Sequence, residues 1–341
     1  MRVAVYYRNA DVRIEERPKP VIGPGELLVR TMASGICGSD VLEWYRIKKA
    51  PIVLGHEIAG DVVEVGEGVS RSQVGDRVFV SHHVPCNTCW YCLHGNHTVC
   101  ETLHTTNFDP GGFSEFIRIP AINADRGTFR LPDNVSYAEG AFVEPLACVL
   151  RGQRLSGFQP GQTMLILGSG ISGILHLMAG RAMGAGAIFT TDTDEYRVEK
   201  ARAFGADAAF SAQEDVPARV RKLNGGRLAD LVVVCTGALG AFRQALQSVD
   251  RAGTLLCFAT TDPGVELSIP LNDFWRNGIR VMPSYANSPY DAELAIRLLA
   301  AKRVPVEDMI THRLGLDDTP LGFRLMAEPR ESLKIIIEPQ R

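Results

Sequence analysis

TMLILGSGISG, residues 163–173, joins an apolar run to a glycine-rich turn that opens a longer helical stretch. A short apolar run bounded by glycine reads as a buried strand, and backbone amides at the following helix N-terminus can face a pyrophosphate. By itself the Gly168, Gly170, Gly173 spacing is weak evidence. Its weight comes from Asp192, which ends the next apolar run AIFTTD, where a carboxylate can accept hydrogen bonds from an adenosine ribose diol. The plainer reading is that the glycines merely allow close helix packing and that Asp192 starts a turn. Arg197, five residues on, can flank an adenine or serve as a solvated helix charge.

Outward from this turn the pattern repeats: AIFTTD, a helix, LVVVCTG, a helix, TLLCFA. That alternation predicts a parallel α/β sheet. Upstream the texture differs, with short β-rich runs such as ELLVRTMASGIC, EIAGDVVEVG and DRVFV punctuated by glycine and proline, which predict a folded-over β domain. The tail carries one amphipathic helix, DAELAIRLLAAK, and a final apolar strand, LKIIIEP, suited to a return to the first domain. The expected organisation is a β domain over 1–147, a dinucleotide-binding domain over 148–286 and a returning segment over 287–341.

The 341 residues carry a formal net charge of -3, so no basic field gathers phosphates and nucleic acid is not an expected partner. No long uncharged apolar run is present, and MRVAVYYRNADVR lacks an apolar signal core, so a soluble cytoplasmic protein without a membrane partner is expected. Among reducing thiols, the eight cysteines are better read as metal ligands or core residues than as disulfides.

Four of them, Cys86, Cys89, Cys92 and Cys100, read Cys-x-x-Cys-x-x-Cys-x7-Cys in PCNTCWYCLHGNHTVC. Four thiolates close a tetrahedral shell, the mark of a structural zinc site. An iron-sulfur run begins alike, but here the last spacing is longer and no proline follows Cys100. His94 and His97 are then loop residues. A second set is spread out: Cys37 in GICGSD, His56 and Glu57 in GHE, and Glu144 in FVEPLA. Three protein ligands of mixed type leave a zinc position open for water or substrate. Taken singly, each has an ordinary structural reading: a core thiol, a buried histidine, two carboxylates.

GHEIAGDVVEVGEGV, residues 55–69, resembles the zinc alcohol dehydrogenase signature Gly-His-Glu-x2-Gly-x5-Gly-x2-Val without a mismatch. The resemblance runs over essentially the whole chain, through GICGSD, the cysteine lobe, VEP, GSGISG with Asp192, and THRLGL, and is closest to the polyol subgroup that includes sorbitol, galactitol-phosphate, idonate and threonine dehydrogenases. It implies a GroES-like β domain holding both zincs, then a Rossmann domain built on a doubly wound parallel α/β sheet, with the active site between them. It implies two zinc ions per chain and NAD as cofactor. Cys37, His56 and Glu144 fall where catalytic zinc ligands lie, and Glu57 where a carboxylate ligates directly or through water; the two carboxylates are not ranked. Ser39 falls where a hydroxyl takes the substrate proton. Ser172, Asp192, Arg197, Phe258 and Thr260 match positions lining the cofactor, and Ser284 and Tyr285 match an Arg-Tyr pair near nicotinamide and substrate. A homo-oligomer, dimer or tetramer, is the expected assembly.

Three departures bear on the substrate. Leu42 stands where the sorbitol and threonine enzymes carry a relay histidine, Glu43 stands where the sorbitol enzymes have tyrosine, and Ser284 replaces the arginine. The expected reaction is oxidation of a secondary hydroxyl on a small polar alcohol (a polyol, sugar or sugar-acid derivative) to a ketone. The alternatives are an L-threonine or simple-alcohol dehydrogenase and, in another class, a non-catalytic nucleotide-binding or redox-sensing protein of the same fold, against which Cys37, His56 and Glu144 all argue.

Overall fold

The computed structural model describes residues 1–328 and 331–341. They divide into two units: Met1–Ala147 with Ala286–Arg341, and Cys148–Tyr285.

In the second unit, Thr163–Leu167 is buried at every position, as a parallel strand covered on both faces requires. From edge to edge the strands run Ala208–Ser211, Ala187–Asp192, Thr163–Leu167, Ala229–Val234, Val249–Cys257 and Arg280–Pro283, all parallel. The chain begins in the middle, winds one way for two crossovers and then the other. A switch point of this kind leaves a crevice at the carboxyl end of the first strand, which here is the glycine turn. Leu165, Leu167, Phe189, Phe210, Val232 and Val234 fill the core. Each such side chain contributes about 1.5–3 kcal/mol on full burial. The turn itself demands glycine twice: Gly168 has φ +98°, and a Cβ on Gly173 would press into the Gly168 carbonyl oxygen.

The first unit is built on strand Leu27–Gly35, which pairs antiparallel with Glu57–Val65, with Phe116–Ile119 and with the late strand Lys334–Glu338. Arg77–Val80 and Thr128–Arg130 extend the sheet on one side, and Ile310–Gly315, parallel to Lys334–Glu338, extends it on the other. A smaller sheet joins Arg2–Arg8, Asp11–Glu16 and Ile52–Val53. One core packs Val3, Val5, Tyr6 and Ile36 against Phe323, Ile335 and Ile337, so residues from both ends of the sequence share it. The register sets Gly35 opposite both Glu57 and Ile336. A Cβ on Gly35 would collide with the Glu57 carboxylate and the Lys334 ammonium, so this strand end must be bare for those two groups to meet. Among the described residues no helix is long and apolar enough to cross a membrane.

Candidate metal centres and dinucleotide site

Cys86, Cys89, Cys92 and Cys100 bring their sulfurs within 4.8 Å of one another. The loop achieves this with tight turns, Asn87 at φ 61° and Gly95 at φ 77°, and with amides aimed at sulfur: Thr88 and Cys89 donate to Cys86 Sγ at 3.4 and 3.2 Å. Hydrogen bonds from the Thr88 backbone and side chain, and then the Cys89 amide, hold the Cys86 thiol down to about 5, while burial pushes Cys92 up to about 12. Apolar packing within the lobe is slight. Its apolar contacts reduce to Leu103, Ala286 and the cysteines, while Trp90 and Leu93, each 71% exposed, face solvent. Four sulfurs in a coreless loop suit a metal that supplies the missing stability, and the all-thiolate donor set suits zinc. His94, whose Nδ1 lies 2.7 Å from the Trp90 carbonyl oxygen, and His97 stand outside this grouping.

Cys37, His56 and Glu57 form the second grouping, again with ligand atoms within 4.8 Å. Cys37 leaves the end of strand Leu27–Gly35 and caps the short turn Gly38–Val41. Asp40 in that turn is fully buried; its Oδ2 accepts from the Cys37 amide at 3.1 Å, and its Oδ1 lies 3.3 Å from His56 Nδ1. A carboxylate on one ring nitrogen fixes the imidazole and frees the other nitrogen for a metal. Burial opposes charge on His56, but Asp40 and the Cys37 sulfur outweigh it and raise its pKa well above 6.5. Proton and metal compete for such a ring.

Glu57 opens the next strand. Its Oε2 pairs with Lys334, itself wholly buried and also donating to the Ile36 carbonyl at 3.3 Å. Its other oxygen, Oε1, is buried with no hydrogen-bond partner. Buried carboxylate oxygens are rarely left so, and an orphan beside a thiol and an imidazole is the donor a cation would complete. Glu144 lies in the first turn of the helix Val143–Leu155, is 7% exposed, and does not join Cys37, His56 and Glu57 in their grouping.

Ser39 lies in the same turn, and its Oγ accepts from Arg46 Nη2 at 3.0 Å. Leu42 is partly exposed, and Glu43 accepts from the Asn9 amide at 3.0 Å. His82, whose ring centre is 4.8 Å from that of His56, has a buried Nδ1 without a partner. Burial drives His82 well below 6.5 and lowers the neighbouring His83 to about 3, so both stand neutral. Sequence reasoning passed over Asp40, Arg46, His82 and Lys334. Only two of these carry a local signal: Asp40 inside GICGSD, and His82 in SHHVPC just ahead of the cysteine lobe.

In the Cys148–Tyr285 unit, Gly170 caps helix Ile171–Ala182 without a side-chain partner for the first amides. Asp192 closes the strand beside it. Its Oδ2 accepts from the Ser169 amide at 2.8 Å and its Oδ1 from the Asp194 amide at 3.0 Å, leaving further lone pairs for ligand hydroxyls. Arg197 Nη1 sits 4.0 Å from Asp192 Oδ2 and lies against Gly170. Ser172 is half-buried in the first turn of the helix. Phe258 meets His176 edge to face at 4.5 Å, and Thr260 Oγ1 donates to the Thr261 carbonyl at 3.1 Å. Ser284 bonds through its amide to the Cys257 carbonyl, its Oγ being buried without a partner, while Tyr285 is exposed.

An open Cys-His-carboxylate cluster, a closed four-thiolate lobe and a Rossmann turn with its acidic residue define a metal-dependent, dinucleotide-using oxidoreductase. The comparisons agree. Residues 23–133 match the alcohol dehydrogenase GroES-like domain, and residues 172–301 match the zinc-binding dehydrogenase model. A sorbitol dehydrogenase of Bombyx mori is 34% identical over 99% of this chain and 98% of its own. Galactitol-1-phosphate dehydrogenase of Escherichia coli superposes with a TM-score of 0.89 at 27% identity, covering 99% of this chain and 100% of that one. A zinc-binding dehydrogenase of Sinorhizobium meliloti 1021, solved bound to NADP, superposes with a TM-score of 0.88 at 27% identity over 99% of both chains. The chain belongs to the zinc-dependent medium-chain dehydrogenases, in their sorbitol and polyol dehydrogenase-like subgroup.

Proposed function

We propose that this protein oxidises a secondary hydroxyl of a polyol, sugar or sugar-acid derivative to a ketone, with NAD as hydride acceptor. The observation that carries the reading is the orphaned Glu57 Oε1 beside Cys37 and His56. In this reading Cys37, His56 and Glu57 hold the catalytic zinc, with Glu144 the other carboxylate available, while Cys86, Cys89, Cys92 and Cys100 hold a structural one. Zinc so held supplies Lewis acidity toward an alcohol oxygen, and the nicotinamide takes up the hydride. The chain's own residues do the rest. Asp40 orients His56, Lys334 holds one oxygen of Glu57, and Ser39 Oγ takes the hydroxyl proton. The amides of the glycine turn face the pyrophosphate, and Asp192 accepts the ribose hydroxyls, with Ser172, Arg197, Phe258, Thr260 and Tyr285 lining the remainder.

The names of the relatives favour a polyol. Glu43, Ser284 and Tyr285 are polar at sequence positions that resemble substrate contacts of the polyol enzymes, where a site for simple alcohols calls for apolar residues. A homo-oligomer belongs to the same proposal, supported by Leu271, Trp275 and Val281, exposed on the last helix and edge strand of the dinucleotide unit; size measurement in solution distinguishes dimer from tetramer.

Metal analysis is the test. Near two zincs per chain are expected, with Cys37→Ala losing one zinc and all turnover while keeping its fold, and Cys89→Ala losing the other together with stability. A protein with one zinc, or two variants that lose activity alone, would refute the assignment.

A further inference from the structure

The proton that leaves the substrate hydroxyl needs a path, and Leu42 offers none. What the structure places against Ser39 instead is Arg46. Its Nε donates to the Ser39 carbonyl at 3.0 Å, its Nη2 donates to Ser39 Oγ at 3.0 Å, and the same Nη2 reaches Asp40 Oδ1 at 3.2 Å. The side chain is 14% exposed and its guanidinium lies over the Tyr45 ring at 4.7 Å, so it is held on three sides. Helix Glu43–Arg46, which follows Leu42 directly, returns the guanidinium to the turn that carries Ser39.

We propose that Arg46 is a positioning residue that sets the direction of proton transfer through Ser39; this rests on the reading of Ser39 given above. The argument is one of donor and acceptor capacity. A guanidinium only donates and keeps its protons at any working pH. A serine hydroxyl has two lone pairs and one proton. With Arg46 on one lone pair, Ser39 retains one acceptor site and its own O–H. It therefore accepts the substrate proton at the free lone pair while its own proton leaves to water or to a cofactor ribose hydroxyl. The count closes: one O–H bond to Ser39 forms, one breaks, and Arg46 is unchanged. The fixed positive charge also disfavours a second proton lingering on Ser39, so the onward step is favoured. A serine whose hydroxyl was free to rotate would spend part of its time donating to the wrong neighbour.

Arg46→Met removes the fork and the charge at similar length; Arg46→Lys keeps the charge and one donor. The expected result for Arg46→Met is a loss of roughly 10- to 100-fold in kcat, smaller than the 10²- to 10⁴-fold of a full proton-transfer group because the hydroxyl remains. KM, NADH affinity by fluorescence and zinc retention against a chelator should stay near the parent values. Arg46→Lys should recover part of the rate. The combination Ser39→Ala with Arg46→Met should be no slower than Ser39→Ala alone, since the two residues act as one unit. If the losses multiply, or if zinc leaves Arg46→Met as fast as activity does, Arg46 serves the Asp40–His56 side and the proposal is overturned. If Ser39→Ala itself keeps full kcat, the role of Ser39 falls, and this inference with it. An Arg46→Met that fails to fold leaves the Lys variant to decide: a rate equal to the parent's, with the fork lost, would also overturn it.

Discussion

Lys334 and Glu57 are both shielded from water and pair with each other. Removing one partner of a buried pair costs more than the pair contributes, because the remaining charge is stranded. In the metal-free protein, where no zinc meets Glu57, Lys334→Met should therefore lower unfolding free energy by about 3–5 kcal/mol relative to the metal-free parent, read as a shift in urea midpoint, whereas Lys334→Arg should recover part. An unchanged midpoint would show that the Lys334–Glu57 pair does not hold the fold together. Asp192 poses a question of charge against charge. Its carboxylate would face the extra 2′-phosphate of NADP at close range, and Arg197 at 4.0 Å tempers the repulsion without removing it. NAD should be preferred in kcat/KM, and Asp192→Ala should narrow the gap; equal values in the parent would remove Asp192 from the ribose. At this scale the sequence was readable where candidate ligands sit inside a local motif, as Cys37 does in GICGSD and His56 and Glu57 do in GHE. Lys334 was not: LKIIIEP was legible as a returning strand, but no local pattern announces the register that sets it beside Gly35 and brings Lys334 to Glu57 from 277 residues away.

The strand, turn and helix from Thr163 to Ala182 follow from local chemistry alone: an apolar run, glycines where the backbone turns tightly, and a cap that leaves amides free. That is why this element was legible. Helix Ile171–Ala182 also carries a residue the motif did not flag. His176 is wholly buried; its Nδ1 lies 3.3 Å from Gln153, its Nε2 has no partner, and burial lowers its pKa to about 3. In the unfolded chain the same ring takes a proton below about pH 6.5. The folded state thus binds fewer protons between these values, so this contribution to stability is complete above pH 6.5 and is lost as pH falls toward 3. His176→Leu should flatten the acid limb of stability against pH by up to about 1.4 kcal/mol per pH unit. His82 and His83, shifted in the same direction, are present in both proteins and cancel in the difference. An identical slope in parent and variant would mean that His176 is protonated in the fold.

Across the whole chain, the change from glycine-punctuated β runs to alternating strands and helices marks the two kinds of architecture, because periodicity and strand length respond to how many faces each sheet buries. The β domain and the parallel α/β sheet follow from that texture; the GroES-like and Rossmann names follow from the resemblance carried by the motifs and agree with the matched family models. What texture does not encode is substrate. Relatives of one fold act on different alcohols, and only the few side chains facing the reacting carbon choose among them. A site built to hydrogen-bond a second hydroxyl leaves its own polar groups unpaired when that hydroxyl is missing, and so rejects the simpler alcohol strongly. The most direct measurement is kcat/KM with NAD for a panel of vicinal polyols and sugar acids beside the matching mono-alcohols. Compounds with a hydroxyl next to the reacting one should be preferred by at least about tenfold, equivalent to about 1.4 kcal/mol of transition-state binding. Turnover of 2-butanol or cyclohexanol as efficient as that of any polyol would contradict it.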